Sequence, residues 1–262
     1  MVSTVSIIFI VMNLLLGIVF PVGLLIFFKK KYNVSVKSFF VGCGVMFLFA
    51  LVLEQQVHAV VLGSSIGASI TGNIWLYALY GGLMAGLFEE SGRFLAIRFV
   101  LKKEHADDHN ALMYGAGHGG FEAFVILTIS MINNLIYSVM INTGQTEALL
   151  APLDEVSKGT LQTAFDTLIT TPSWQFLMSP VERIAALSAQ IALSVIVWFA
   201  ASGKQSRVSL LLLAIVLHAI LDVVAVVLSG TGVPIIAIEA VLWIMAAVYV
   251  FFARVIWKKN HD

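Results

Sequence analysis

Charge is what this chain of 262 residues has least of: Asp, Glu, Lys and Arg together make up 11% of it, against 60% hydrophobic residues. A water-soluble domain carries about 25% charged residues. A chain so poor in charge cannot cover a folded surface with polar groups, so lipid has to be its solvent. Neither sign is in surplus, with 15 basic and 15 acidic residues. The missing basic excess excludes a nucleic-acid-binding surface. Cysteine is almost absent too, and Cys43 alone cannot form an internal disulfide. The N-terminal segment lacks the basic start of a cleaved leader. Its apolar run ends instead in Lys29-Lys30-Lys31, the pattern of an uncleaved anchor that begins outside and ends at the cytoplasm.

What is abundant is long apolar runs. Mean hydropathy is +0.97, and a window of about 19 residues predicts seven spans near 5–28, 39–62, 74–100, 111–136, 181–201, 208–228 and 234–256. The runs are too long and too continuously apolar for barrel strands, which alternate, so the fold class is an all-α polytopic transmembrane bundle forming a single domain. Lys29 to Lys31 and Lys37 fall in the first loop, Lys102 and Lys103 in the third, Lys204 and Arg207 in the fifth, and Lys258 and Lys259 after the last span. The second and sixth loops carry no charge. The positive-inside rule then puts the N-terminus outside and the C-terminus in the cytoplasm, which requires an odd number of spans. The one sizeable loop, 142–179, repeats Leu153, Val156, Leu161, Phe165 and Leu168 at helical spacing, which predicts a helix at the outer interface.

The informative residues are the ionisable ones inside these spans. The third carries Glu89, Glu90 and Arg93, the fourth His118 and Glu122, and the sixth His218 and Asp222. A charge at mid-bilayer costs about 2.5–3.5 kcal/mol on insertion scales, so four carboxyls and an arginine left alone would cost on the order of 10 kcal/mol. They have to meet. Glu89 and Arg93, His118 and Glu122, and His218 and Asp222 are each four apart, one helix face per pair. Gln190, in the fifth span, reaches the depth of His218. A buried carboxylate beside histidines is how a general base is built. The competing account is a polar network that only fixes helix register. Glu54 and His58 are also four apart but nearer the outer surface, where they read as a separate structural or vestibular pair. Glu239 is placed near the outer surface, and His105 and His109 in a solvated loop. Ser179-Pro180-x-Glu182 reads as a capping box starting the fifth span, with Arg183 beside it at the outer surface or turned to the cluster.

Three motifs, Glu89-Glu90-x-x-Arg93, the Tyr114-x-x-x-His118 pair and His218-x-x-x-Asp222, resemble those of a superfamily of intramembrane peptidases. It includes the CAAX prenyl-protein endopeptidases, the PrsW-type proteases and the YhfC-type bacterial membrane proteins, and is related to the Aph subunit of gamma-secretase. The YhfC group is the nearest in pattern, over the second to seventh spans. Two residues rather than three separate the glutamate pair from the arginine, and Asp222 stands where the CAAX enzymes usually have Asn. The resemblance implies an endopeptidase of the bacterial cytoplasmic membrane that acts on membrane-associated peptides or proteins. Glu89 would activate water, with Glu90 and Arg93 in support. His118 would hold the water or donate a proton, and His218 and Asp222 would face the oxyanion. Glu122 and Gln190 join as supporting residues. No His-Glu-x-x-His is present, so no cofactor is expected. The alternative is a zinc peptidase drawing its ligands from His118, His218, Glu89 and Glu122. A proton-coupled transporter or a non-catalytic scaffold are rivals of another class, although no repeated half marks a transporter.

Overall fold

The computed structural model describes residues 1–203 and 207–261. Lys204, one of the charges that orient the spans, lies outside them. Among the described residues there is no strand. The long helices are α1 (Thr4–Tyr32), α2 (Val36–Leu62), α3 (Ile74–Leu95, continued as a wider π turn over Ala96–Val100), α4 (Asn110–Thr143), α5 (Glu155–Thr170), α6 (Ser173–Ala201), α7 (Val208–Gly230) and α8 (Ile235–Lys259). Six of them, α1, α2, α4, α6, α7 and α8, are long and apolar enough to cross a membrane. The seventh span of the sequence reading is α3, which is long enough but holds Glu89, Glu90 and Arg93. Chains of exposed apolar residues run along these helices, such as Leu79, Leu83 and Leu87 on α3 and Leu212, Val216 and Ile220 on α7. In water such stripes would drive aggregation; in a bilayer they meet acyl chains. The protein is a multi-pass membrane protein.

The helix ends follow local chemistry. Asn33 adopts a left-handed φ of 53° just past α1, the conformation that closes a helix. Its amide bonds back to the Lys29 carbonyl at 3.0 Å. The Asn73 side chain caps α3 by accepting from the amides of Trp75 and Leu76 at 2.9 and 3.2 Å. The sequence places the start of the fifth span at a Ser179–Glu182 capping box. The helix instead begins as a tight turn at Ser173 and runs unbroken from Met178, with Pro180 tolerated in the first turn of that helix. Glu182 is released from capping and pairs with Arg183.

The contacts divide the chain into two compact units, Met1–Phe20 with Ala123–Arg183, and Pro21–Glu122 with Ile184–Asp262. In the first, Val2, Ile10, Met131, Leu168 and Phe176 form the core. The loop helix expected between the fourth and fifth spans is α5. Phe165 and Leu168 are its buried face, whereas Val156 is 81% exposed. Asp154 caps it, accepting from the amides of Ser157 and Val156 at 3.0 Å each. Those bonds, the Ser157 amide first, hold the Asp154 carboxyl below its ordinary value.

The second unit is built around the part of α6 from Ile184 to Ala201. Fully or nearly buried residues run continuously from Leu193 to Ala201, capped by Trp198, whose indole N–H donates to Asp108 Oδ1 at 2.6 Å. Glycines let the backbones touch. A Cβ on Gly82 or Gly86 would come within 2.6 Å of the α7 carbonyls of Ala219 and Ile215, respectively. On α4, Gly115 and Gly119 lie against α6, with Ile191 Cα and Gln190 Cβ at 2.7 and 2.8 Å from such a Cβ, while Gly117 faces the backbone of Phe39 on α2. Small residues at four-residue spacing are what brings membrane helices close enough to share polar groups.

The charge sorting predicts the orientation directly. Reporter fusions after Lys31, Lys103, Lys204 and the C-terminus are expected to read as cytoplasmic, and fusions at Gly63, Ser157 and Gly230 as external. A clear reversal at Lys103 or Ser157 overturns the seven-span arrangement.

Candidate active site

Four helices of the second unit deliver polar side chains to one buried point. From α3 come Glu89, Glu90 and Arg93; from α4, His118 and Glu122; from α6, Gln190 and Ser194; and from α7, His218 and Asp222. Glu90, Arg93 and His118 have no exposed surface, and Glu89 and His218 have almost none.

The centre is a single atom, Glu89 Oε2. His118 Nε2 lies 2.8 Å from it, Gln190 Nε2 donates to it at 3.3 Å, and His218 Nε2 lies 3.9 Å away. Gln190 Nε2 also donates to Glu122 Oε2 at 3.0 Å, so Glu122 joins the cluster through an amide. On the far side of His218, Nδ1 is 2.7 Å from Glu90 Oε1. A carboxylate there holds the proton on Nδ1 and leaves Nε2 free to face Glu89 and Asp222, whose Oδ2 is 3.7 Å away. The Asp222 side chain is 35% exposed, against 8% for Glu89 and none for Glu90.

Arg93 organises this geometry. Its Nη1 donates to the Gln190 carbonyl and to Ser194 Oγ at 3.0 Å each, its Nη2 donates to Gln190 Oε1 at 2.6 Å, and its Nε faces Glu90 Oε2 at 3.4 Å. One planar fork thus fixes a carboxylate of its own helix and an amide of the next, which in turn aims the amide N–H at Glu89. The four-residue spacing suggests Glu89 as the partner of Arg93. The ion pair runs to Glu90, three residues away, because the guanidinium is drawn toward α6. Likewise His118 turns to Glu89 on α3, and Glu122 turns to Gln190.

Ser194 escaped the sequence reading. The available signal was its position four residues after Gln190, on the same face. Tyr114 stacks on His118 with ring centres 6.1 Å apart, and its buried hydroxyl has no hydrogen-bond partner among the described residues. Glu54 and His58 do pair, Oε1 to Nε2 at 3.1 Å, with His58 Nδ1 2.9 Å from the Tyr80 hydroxyl. Neither makes a hydrogen bond or ion pair to Glu89, His118 or His218 among the described residues. Glu239 is buried in α8. His105 and His109 are less solvated than expected: His105 Nε2 is 2.9 Å from the Ile97 carbonyl, and His109 stacks on Tyr32.

Whether these side chains suit a metal turns on their donors. Two imidazoles beside one carboxylate are donors of the kinds that make up a His₂Glu catalytic zinc site. Glu90 on His218 Nδ1 is the outer partner such a ligand has. His118 Nδ1, buried and without a hydrogen-bond partner among the described residues, can take up the proton that Nε2 would give up. The donors fit in kind. Among the described residues, no three His, Cys, Asp or Glu side chains already close on one point at ligand distance, because Glu89 and His118 are hydrogen-bonded to each other.

A multi-pass helical bundle with a buried glutamate, histidines and an arginine joined across four helices has the make-up of an intramembrane protease. The chain belongs to the YhfC intramembrane metalloprotease family, whose model matches residues 15–243. It is 38% identical over 257 residues to the membrane protein YhfC of Bacillus subtilis (strain 168), covering 96% of each chain. No solved structure matches. The family corrects the expectation of no cofactor, since a metalloprotease carries a metal. That expectation rested on the missing His-Glu-x-x-His, which puts both histidines one turn apart on one helix. Here the two candidate histidines, His118 and His218, stand on α4 and α7, so no local motif announces them.

Proposed function

We propose that this chain is a metal-dependent endopeptidase that cleaves membrane-associated peptides or proteins at the Glu89 cluster. The observation that carries the reading is the approach of His118 Nε2 and His218 Nε2 to Glu89 Oε2, at 2.8 and 3.9 Å, backed by Glu90 on His218 Nδ1. His118, His218 and Glu89 are the residues that would hold the metal. When bound, it supplies Lewis acidity toward the scissile carbonyl and lowers the pKa of water. The protein groups do the rest. Glu90 and Arg93 hold His218 and Gln190 in place. Gln190 is an uncharged donor beside two carboxylates and keeps Glu89 and Glu122 from repelling each other across it. Asp222 is open enough to exchange protons with water and near enough to His218 to take part in transfer to the leaving amine.

Peptide hydrolysis inside a bilayer needs water brought to a place that excludes it, and a cluster of this polarity is where water is retained. Arg93, Gln190 and Ser194 need no metal to keep their hydrogen bonds, so the scaffold stays assembled when metal is removed. Purified protein is therefore expected to contain near-stoichiometric metal, to lose cleavage with phenanthroline and to regain it with added zinc. His218→Ala is expected to lose metal and cleavage together. Full activity in metal-free protein would refute the proposal.

A further inference from the structure

A second feature lies on the other face of α6. Ser188, Ile191, Ala192 and Val195 recur at helical spacing along a cavity of about 300 Å³, whereas Gln190 and Ser194 face the polar cluster. Leu112, Val250 and Ala253 complete its apolar wall, and Tyr32, His109, Trp257 and Arg254 stand with them. The cavity runs to the end of the helices where Lys29 to Lys31 and Lys258 to Lys259 cluster. The aromatic groups are held firmly: Tyr32 stacks on His109 with ring centres 4.2 Å apart, and His109 lies 5.3 Å from the Trp257 ring.

The charges at this rim are unbalanced. Arg254 has no hydrogen bond or ion pair among the described residues, and the Lys31 ammonium sits 5.0 Å from the centre of the Tyr32 ring. Of the acids beside the rim, Asp107 is already taken by the backbone N–H and Nδ1 of His109, at 3.0 and 2.8 Å, and Asp108 by the Trp198 indole at 2.6 Å and His261 at 3.4 Å. Arg254 is five residues from the end of α8, about 8 Å along the axis, within snorkelling reach of the headgroup layer. An apolar slot inside the hydrocarbon, ending in an uncompensated guanidinium and a ring of interfacial aromatics, is complementary to an anionic amphiphile.

We propose that this cavity binds one anionic phospholipid from the leaflet at the basic end of the helices, with an acyl chain along α6 and the phosphate on Arg254. The test is native mass spectrometry of protein taken from bilayer discs of equal parts phosphatidylglycerol and phosphatidylcholine. The wild type is expected to retain phosphatidylglycerol selectively. Arg254→Gln is expected to lower that retention about fivefold, the worth of one cation near a lipid surface. Val250→Trp, which fills the slot from its lipid side without touching charge, is expected to lower it as well, and Lys259→Gln to leave it unchanged. Should Val250→Trp fail to fold, the exposed Arg254→Gln still decides. Equal retention of both lipids, or undiminished retention by Arg254→Gln, means ordinary boundary lipid and overturns the proposal. Displacement by inorganic phosphate alone as effective as by phosphatidylglycerol also overturns it, in favour of a phosphate site.

Discussion

Glu89→Gln is expected to abolish peptide cleavage while leaving the helix bundle folded. The substitution keeps shape and hydrogen-bonding capacity but removes the charge on which His118, His218 and Gln190 converge. Losing a ligand of the proposed metal removes the group that would activate water, so a loss of at least the 10²–10⁴-fold typical of a missing positioned base is expected. Folding survives because an amide can still meet the surrounding donors, and removing a buried charge relieves desolvation. His118→Ala and His218→Ala are expected to be as severe. Glu54→Gln, whose hydrogen-bond partner is His58, is expected to be mild. Substrates come from comparing the membrane proteomes of cells carrying wild type or Glu89→Gln; peptides that appear only with the wild type then serve for the kinetics. Wild-type cleavage of such a substrate by Glu89→Gln would remove Glu89 from the chemistry.

Arg93→Ala is expected to do the opposite, damaging the fold first. Its guanidinium has no exposed surface and engages Glu90, the Gln190 carbonyl and amide, and Ser194. Removing one partner of a buried pair strands the other, at a cost of about 3–5 kcal/mol. That is a large share of a typical folding stability of about 5–15 kcal/mol. Melting of the detergent-solubilised protein measures it. Arg93→Lys is expected to recover little, because a single ammonium cannot reproduce a fork that reaches two helices. Arg93→Ala with Glu90→Gln is expected to be less destabilised than Arg93→Ala alone, because the stranded charge is gone. If the double variant melts no higher than the single one, the Arg93–Glu90 pair is not what carries the stability. Melting and cleavage on one panel separate a reaction centre from a network that only fixes register: in the first case Glu89→Gln loses activity without stability, and in the second Arg93→Ala is the sole severe variant.

The glycines of α3 and α4 show how packing and chemistry depend on one another. Gly82 and Gly86 bring α3 onto α7, and Gly115 and Gly119 bring α4 onto α6. Without those approaches His218 could not reach Glu90, nor Gln190 reach Glu122. Substituting them therefore acts on the site at a distance, by prising apart the helices that carry it.

The helical character and most of the spans were legible in the sequence, because scarcity of charge over more than 20 consecutive residues leaves a chain in lipid no other way to satisfy its backbone. So was the membership of the cluster: Glu89, Glu90, Arg93, His118, Glu122, Gln190, His218 and Asp222 are too costly in hydrocarbon to stand apart. Who pairs with whom was not legible. Helical spacing puts both Glu89 and Glu90 within reach of Arg93, and only the position of α6, with Gln190 and Ser194 on one side, turns the guanidinium toward Glu90. The same holds for the start of α6, where a tight turn beginning at Ser173 displaced a plausible local cap, and for the proposed metal donors, which come from three different helices. Local rules see neighbours along the chain. A site whose members lie 29 and 128 residues apart, as His118 and Glu89 or His218 and Glu90 do, is decided by how the helices pack.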